Sequence, residues 1–304
     1  MQEQREPIVV DVWRGPAVES RHHVIASVVD ACGAEVARYG DPGSPTYWRS
    51  SAKPFQARPW VDDGTVDHFG WGAAELAIMS ASHIGTEIHA DVVRRMLADI
   101  GLGETDLRCD NELRARHNCS GNHAGFLAAS VFHGWDIATY QHAEHPAQRA
   151  AVASIADAAG IAAHEIPRGV DGCGIVVTAT PLTAVARAYA RLDALAPRVA
   201  AAMRAHPVLV EGEGELDTVV MQAFPGATSK AGAEGLGCVA LPEGGAVAVK
   251  ALDGGDRAVG PALIALLVRR LGLTEMPDVA RRQSRPPVLN DAGRVVGELV
   301  ATLP

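Results

Sequence analysis

Apolar and polar positions alternate toward the two ends of the chain and recur with a helical period between them. Ile8 to Val12 reads as a short strand, and His23 to Val29 with Glu35 to Tyr39 flank Asp30-Ala31-Cys32-Gly33-Ala34 as a hairpin. A loop rich in Gly, Pro and Ser runs from Gly40 to Thr46, and a helix begins near Ser51. The 3.6-residue period then predicts helices over Ala73 to Met79, Ile88 to Ile100, Ala124 to Phe132 and Ala147 to Ala158. Gly169 to Gly174 is a Gly-rich loop before a short strand, Ile175 to Thr178. Helical patterns return at Leu182 to Leu192, Ala196 to Ala205 and Leu216 to Ala223. Strand signals follow at Gly237 to Leu241 and Ala246 to Leu252, joined by the turn Pro242-Glu243-Gly244-Gly245. After a buried helix, Ala258 to Leu271, a last hairpin pairs Pro287 to Leu289 with Val295 to Leu303 around Asn290-Asp291-Ala292-Gly293.

Strands, a long helical middle and strands again predict an α+β fold rather than alternating β-α-β units. Both ends can join one antiparallel sheet, residues 1–50 and 225–304, beside a helical lobe of residues 51–224, all within a single domain, 1–304.

Composition narrows the function classes. The 304 residues carry a net charge of −9 with no basic block, so a nucleic-acid partner, which needs clustered cations, is not expected. No apolar run reaches about 18 residues, so no membrane span is expected, and the polar start Met1 to Pro7 lacks the apolar core of a secretory signal. Five cysteines without a tight pairing pattern point to a reduced, cytoplasmic compartment.

The 27 Lys and Arg residues include only three lysines, Lys53, Lys230 and Lys250. Arg stays charged at any physiological pH, whereas a desolvated Lys can lose its proton and act as a base, so the few lysines are candidates for chemistry. Ser50-x-x-Lys53 follows the Gly/Pro loop; if Ser50 opens a helix, residues three apart share a face and the amine can activate the hydroxyl. The competing reading is an N-cap serine with a solvated lysine. Lys250 ends the strand-like run Val247-Ala248-Val249 before Asp253-Gly254-Gly255, a setting similar to the strand lysine of penicillin-binding and β-lactamase serine enzymes, or of an exposed lysine guarding a sheet edge. Lys230, in Thr228-Ser229-Lys230-Ala231-Gly232, has no assigned role.

Ser82, in Ser80-Ala81-Ser82-His83, offers a second hydroxyl, or merely caps a helix end. His117-Asn118-Cys119-Ser120-Gly121-Asn122-His123 leads into a helix whose amides can hold a carboxylate. Cys119 with Cys173, of Asp171-Gly172-Cys173-Gly174, is either a metal-binding pair or two buried structural thiols. Arg49 suits a substrate carboxylate or a salt bridge to a helix end.

Together, Arg49 to Gln56, Ser80 to His83, His117 to Gly121, Asp171 to Gly174, Lys230 to Gly235 and Val249 to Ala258 resemble the L-asparaginase II family, in family order over most of the chain. The resemblance implies a serine β-lactamase-like fold, a homodimer, and hydrolysis of L-asparagine to L-aspartate and ammonia. It implies catalytic pairs Ser50 with Lys53 and Ser82 with Lys250, and substrate binding by Arg49, His123 and Asp171. It also implies a zinc ion held by Cys119, Cys173 and a lysine three residues after the first cysteine. That third position is Asn122 here, so zinc is expected to bind weakly or not at all.

Overall fold

The structure, a computed structural model, describes residues 4–110 and 112–304; part of the polar start, Met1 to Glu3, lies outside the described residues. The chain folds as two compact units.

The sheet unit runs to Thr46 and takes in Thr180–Arg191 and Gly214–Pro304. Its strands lie in the order Pro287–Leu289, Val295–Thr302, Ile8–Arg14, Ala17–Val29, Ala246–Ala251, Leu236–Ala240, Thr228–Gly232. All these neighbours are antiparallel. Glu35–Tyr39 closes the expected hairpin on Ala17–Val29, and Gln4–Arg5 adds to it in parallel. In Ile8–Arg14 the two-residue period turns Ile8, Val10 and Val12 wholly inward. There they meet the apolar helix Val259–Arg270, in a core that the helix Leu216–Ala223 shares. Each such fully buried aliphatic side chain contributes about 1.5–3 kcal/mol. The central strands are covered on their other face as well, by helix Leu182–Ala190. Leu236–Ala240 and Ala246–Ala251 therefore read as continuous apolar runs rather than alternations.

The helical unit comprises Tyr47–Ala179 and Leu192–Glu213. Helix Ser120–His133 is buried at every position from Ser120 to Ser130 and packs against Lys53–Asp62, Ala73–Met79 and Glu87–Asp99. Gly121 permits the closest of these approaches, since a β-carbon there would fall on the carbonyl oxygen of Ile78. That contact brings the start of helix Ser120–His133 beside the segment after Met79. Gly121→Ala is expected to cost about 1–3 kcal/mol in urea unfolding, because two packed backbones would have to separate.

The α+β class expected from the pattern is the one observed. Helices Ala73–Met79 and Leu216–Ala223 start and end where the periodicity places them. Four differences have physical reasons. Ser50 does not open an α-helix: it lies in a 3-10 turn, Arg49–Ala52, and Lys53 begins helix Lys53–Asp62, with Pro54 in the first turn where its missing N–H costs nothing. Pro45–Tyr47, inside the expected loop, is a short strand. Thr228–Gly232 is a strand with no apolar alternation, because its buried side chains are polar. The helices Leu182–Ala190 and Leu216–Ala223 belong to the sheet unit, since their apolar faces pack on its strands.

Candidate active site

Within the helical unit, the side chain of Lys53 organises the candidate site. It is only 2% exposed. Its Nζ donates to the Ala81 carbonyl at 2.5 Å, to Ser82 Oγ at 3.0 Å and to Cys119 Sγ at 3.2 Å. Three N–H groups thus meet three acceptors, which is the full capacity of an ammonium. The hydroxyl bonded to Lys53 is that of Ser82 and not that of Ser50. Among the described residues the half-buried Ser50 hydroxyl makes no hydrogen bond, although the Lys53 N–H donates to the Ser50 carbonyl.

Ser50 is held by its neighbours in the chain. Trp48, fully buried against Phe55 with rings edge-on at 5.6 Å, donates its N–H to Thr178 O, and Ser51 Oγ donates back to Trp48 O. Between Trp48 and Ser50, Arg49 adopts a left-handed backbone with φ +45°, strained for a residue with a side chain. Its guanidinium pairs with Asp171, Nε to Oδ2 at 2.8 Å and Nη2 to Oδ1 at 3.4 Å. The two residues expected to bind opposite charges of a substrate therefore neutralise each other here. Arg49, Ser50, Lys53, Gln56, Cys119, Asp171 and Cys173 line one recess.

Ser82 is placed by its N–H, which donates to Val210 O at 2.9 Å, and by its buried neighbour His83. His83 Nδ1 accepts the Gly85 N–H, so Nε2 carries the hydrogen and donates to Ser120 Oγ. Burial, with His89 stacked on it at 4.8 Å and Lys53 near, holds the His83 pKa down to about 3.

Cys119 and Cys173 come together. The Cys173 thiol donates to the Cys119 sulfur, and this bond, with Lys53 and His117 nearby, holds the Cys119 thiol well below its ordinary pKa. The same bond, and burial, push the Cys173 thiol up. Hydrogen bonds to Cys109 and then Cys119 raise His117 to about 9.

Cys119 and Cys173 are two of the three ligands of the zinc ion that the resemblance implies. Zinc sites take at least three protein ligands, and among the described residues no three His, Cys, Asp or Glu side chains group as a cation site. Asn122, at the implied lysine position, is buried, and its Nδ2 donates to Met79 O at 3.1 Å.

Three polar atoms on the helices that carry Lys53 and follow Cys119 are buried without a partner among the described residues: Gln56 Oε1, Asn122 Oδ1 and His123 Nε2. Gln56 is an addition to the residues singled out above; its place one turn after Lys53 was the available signal. Burial holds His123 down to about 4.

The remaining lysines lie in the sheet unit. Lys250 is half-buried, donates to Ala251 O at 2.6 Å, and has its pKa lowered by burial against the opposing pull of Glu234, Asp253 and Asp256. Lys230, with no role assigned from sequence, is fully buried and ion-paired to Asp217 at 2.7 Å. Asp217 also accepts from Ser229 Oγ and from the Ala231 N–H.

The chain matches the L-asparaginase II family profile over residues 10–301, and it belongs to that family. No curated protein sequence matches it. Among solved structures it is similar to that of Mglu, at 13% identity and a TM-score of 0.46, with 82% of this chain and 67% of that one covered. A second structure of Mglu, in its tris and glutamate form, gives 15% identity, a TM-score of 0.44 and coverages of 82% and 58%. A β-lactamase from Mycobacterium bovis gives 16% identity, a TM-score of 0.39 and coverages of 86% and 97%.

Proposed function

We propose that this chain hydrolyses the side-chain amide of L-asparagine to L-aspartate and ammonia through a lysine-activated serine. The observation that carries this reading is the buried amine of Lys53, which lines the same recess as Ser50 and is held against Ser82, in a member of the L-asparaginase II family. The serine proton passes to the lysine amine as the hydroxyl oxygen bonds to the amide carbon. The tetrahedral intermediate collapses, its C–N bond breaks, and the lysine returns the proton to the departing ammonia. Water then repeats these steps on the acyl ester and releases aspartate. An amine that donates three hydrogen bonds must first give up a proton before it can take one from serine.

Ser50 is the nucleophile read from the Ser-x-x-Lys spacing, with backbone N–H groups near it as oxyanion donors. The 3.0 Å bond from Lys53 favours a second reading, in which Ser82 is the attacking group. Arg49 and Asp171 suit the α-carboxylate and α-ammonium of an amino acid, which would replace one ion pair by two. The resemblance assigns Lys250 a supporting part and the chain a homodimer.

The test is ammonia release from L-asparagine and L-glutamine, with chelator or with added zinc. Release from asparagine, unchanged by either addition, is expected from the incomplete thiol set. Release from glutamine alone would make the chain a different amidohydrolase. Binding of asparagine without turnover would make it an amino-acid-binding protein.

A further inference from the structure

We propose that Tyr140 is a positioning residue that fixes His123 as an Nε2–H donor to an oxygen of the bound amino acid. This deepens the asparagine reading and rests on it for the ligand.

His123 lies one turn after Cys119, its N–H donating to Cys119 O at 3.0 Å. His123 and Tyr140 are both fully buried, and their rings meet edge-on at 5.4 Å and 87°. The Tyr140 oxygen is 2.6 Å from His123 Nδ1 and accepts the Arg108 N–H at 3.0 Å. A phenol has one proton. If it goes to Nδ1, the only group left over is the Nε2–H. If the imidazole donates instead, both the phenol proton and the Nε2 lone pair are stranded in the interior, at about 1–3 kcal/mol for each group. The first arrangement therefore wins, and the Nε2–H is the atom without a partner among the described residues.

A buried donor left open in this way calls for an acceptor from outside the chain. The charged groups that act on His123 are Cys119 and Lys53, then His117 and Asp171, and Cys119, Lys53 and Asp171 line the recess. With an amino acid there, the acceptor is a carboxylate or carbonyl oxygen. Tyr140 is itself fixed: Gln148 Nε2 donates to Tyr140 O at 2.9 Å, and Gln148 Oε1 accepts the Val176 N–H at 3.1 Å. The lock on the imidazole thus extends to the strand that follows Cys173.

Two measurements decide the matter. In protein labelled with 15N-histidine, the two-bond correlation spectrum at neutral pH is expected to show His123 protonated at Nε2 and bare at Nδ1, the signal being assigned by its loss in His123→Gln. Kinetically, Tyr140→Phe frees the tautomer, and KM for L-asparagine is expected to rise about tenfold or more with kcat within about threefold. In His123→Gln the amide supplies an N–H near the same place without help, so adding Tyr140→Phe should move KM little. An Nδ1–H tautomer in the wild-type spectrum would overturn the proposal, even if Tyr140→Phe fails to fold. So would a folded Tyr140→Phe with unchanged KM. A wild-type protein that neither turns over asparagine nor binds aspartate defeats the function reading, and the tautomer spectrum still decides this one.

Discussion

Lys53→Met lowers ammonia release from L-asparagine by about 10³-fold or more. The amine is the base in the proposed reaction, and general-base catalysis is worth roughly 10²–10⁴. The change also strands the three acceptors that Nζ now satisfies, Ala81 O, Ser82 Oγ and Cys119 Sγ. Lys53→Arg should be no better, because a guanidinium keeps its proton and is too broad for a position 2% exposed. Full activity in Lys53→Arg would remove the base from the scheme. Ser50→Ala and Ser82→Ala then separate the two hydroxyls. The nucleophile is the one whose loss prevents any acyl-enzyme, read by intact-mass spectrometry after rapid acid quench. The other serine should still acylate, about 10–100-fold more slowly.

Lys230→Met destabilises the protein by about 3–5 kcal/mol, because it leaves Asp217 as a buried charge without its cation. The neutral donors Ser229 Oγ and the Ala231 N–H do not replace it. Urea unfolding at neutral pH measures the loss, and a change below about 1 kcal/mol would refute it. Adding Asp217→Leu should recover much of the stability, since the pair is costly to break and far less costly to remove whole. Lys250→Met, at a half-buried position, should leave the unfolding midpoint nearly unchanged. Any fall in turnover in that variant would then reflect chemistry rather than folding.

The elements with apolar periodicity were legible before the structure, down to the ends of Ala73–Met79 and Leu216–Ala223. Thr228–Gly232 was not, because the burial of Lys230 is bought by a partner on another element that no local pattern displays. The residues of the candidate site were legible as types and spacings, and the partnership among them was not. Spacing alone joined Ser50 to Lys53. The nitrogen instead meets Ser82, because the close approach allowed by Gly121 brings the segment after Met79 to the Lys53 amine. Tyr140 carried no motif at all, and its place depends on hydrogen bonds from Arg108 and Gln148 that only the folded chain assembles.

The strand Ala17–Val29 has Ile8–Arg14 on one side, made just before it, and Ala246–Ala251 on the other, made more than 200 residues later. At ordinary rates of translation the Val24–Val29 edge waits on the order of ten to forty seconds for that second neighbour. During the wait it is an open row of backbone donors and acceptors bearing apolar side chains, the form most prone to pair with another nascent chain. Folding yield in a cell is thus a race between ribosome and aggregation, and a holdase that shields this edge would tilt it toward the native sheet.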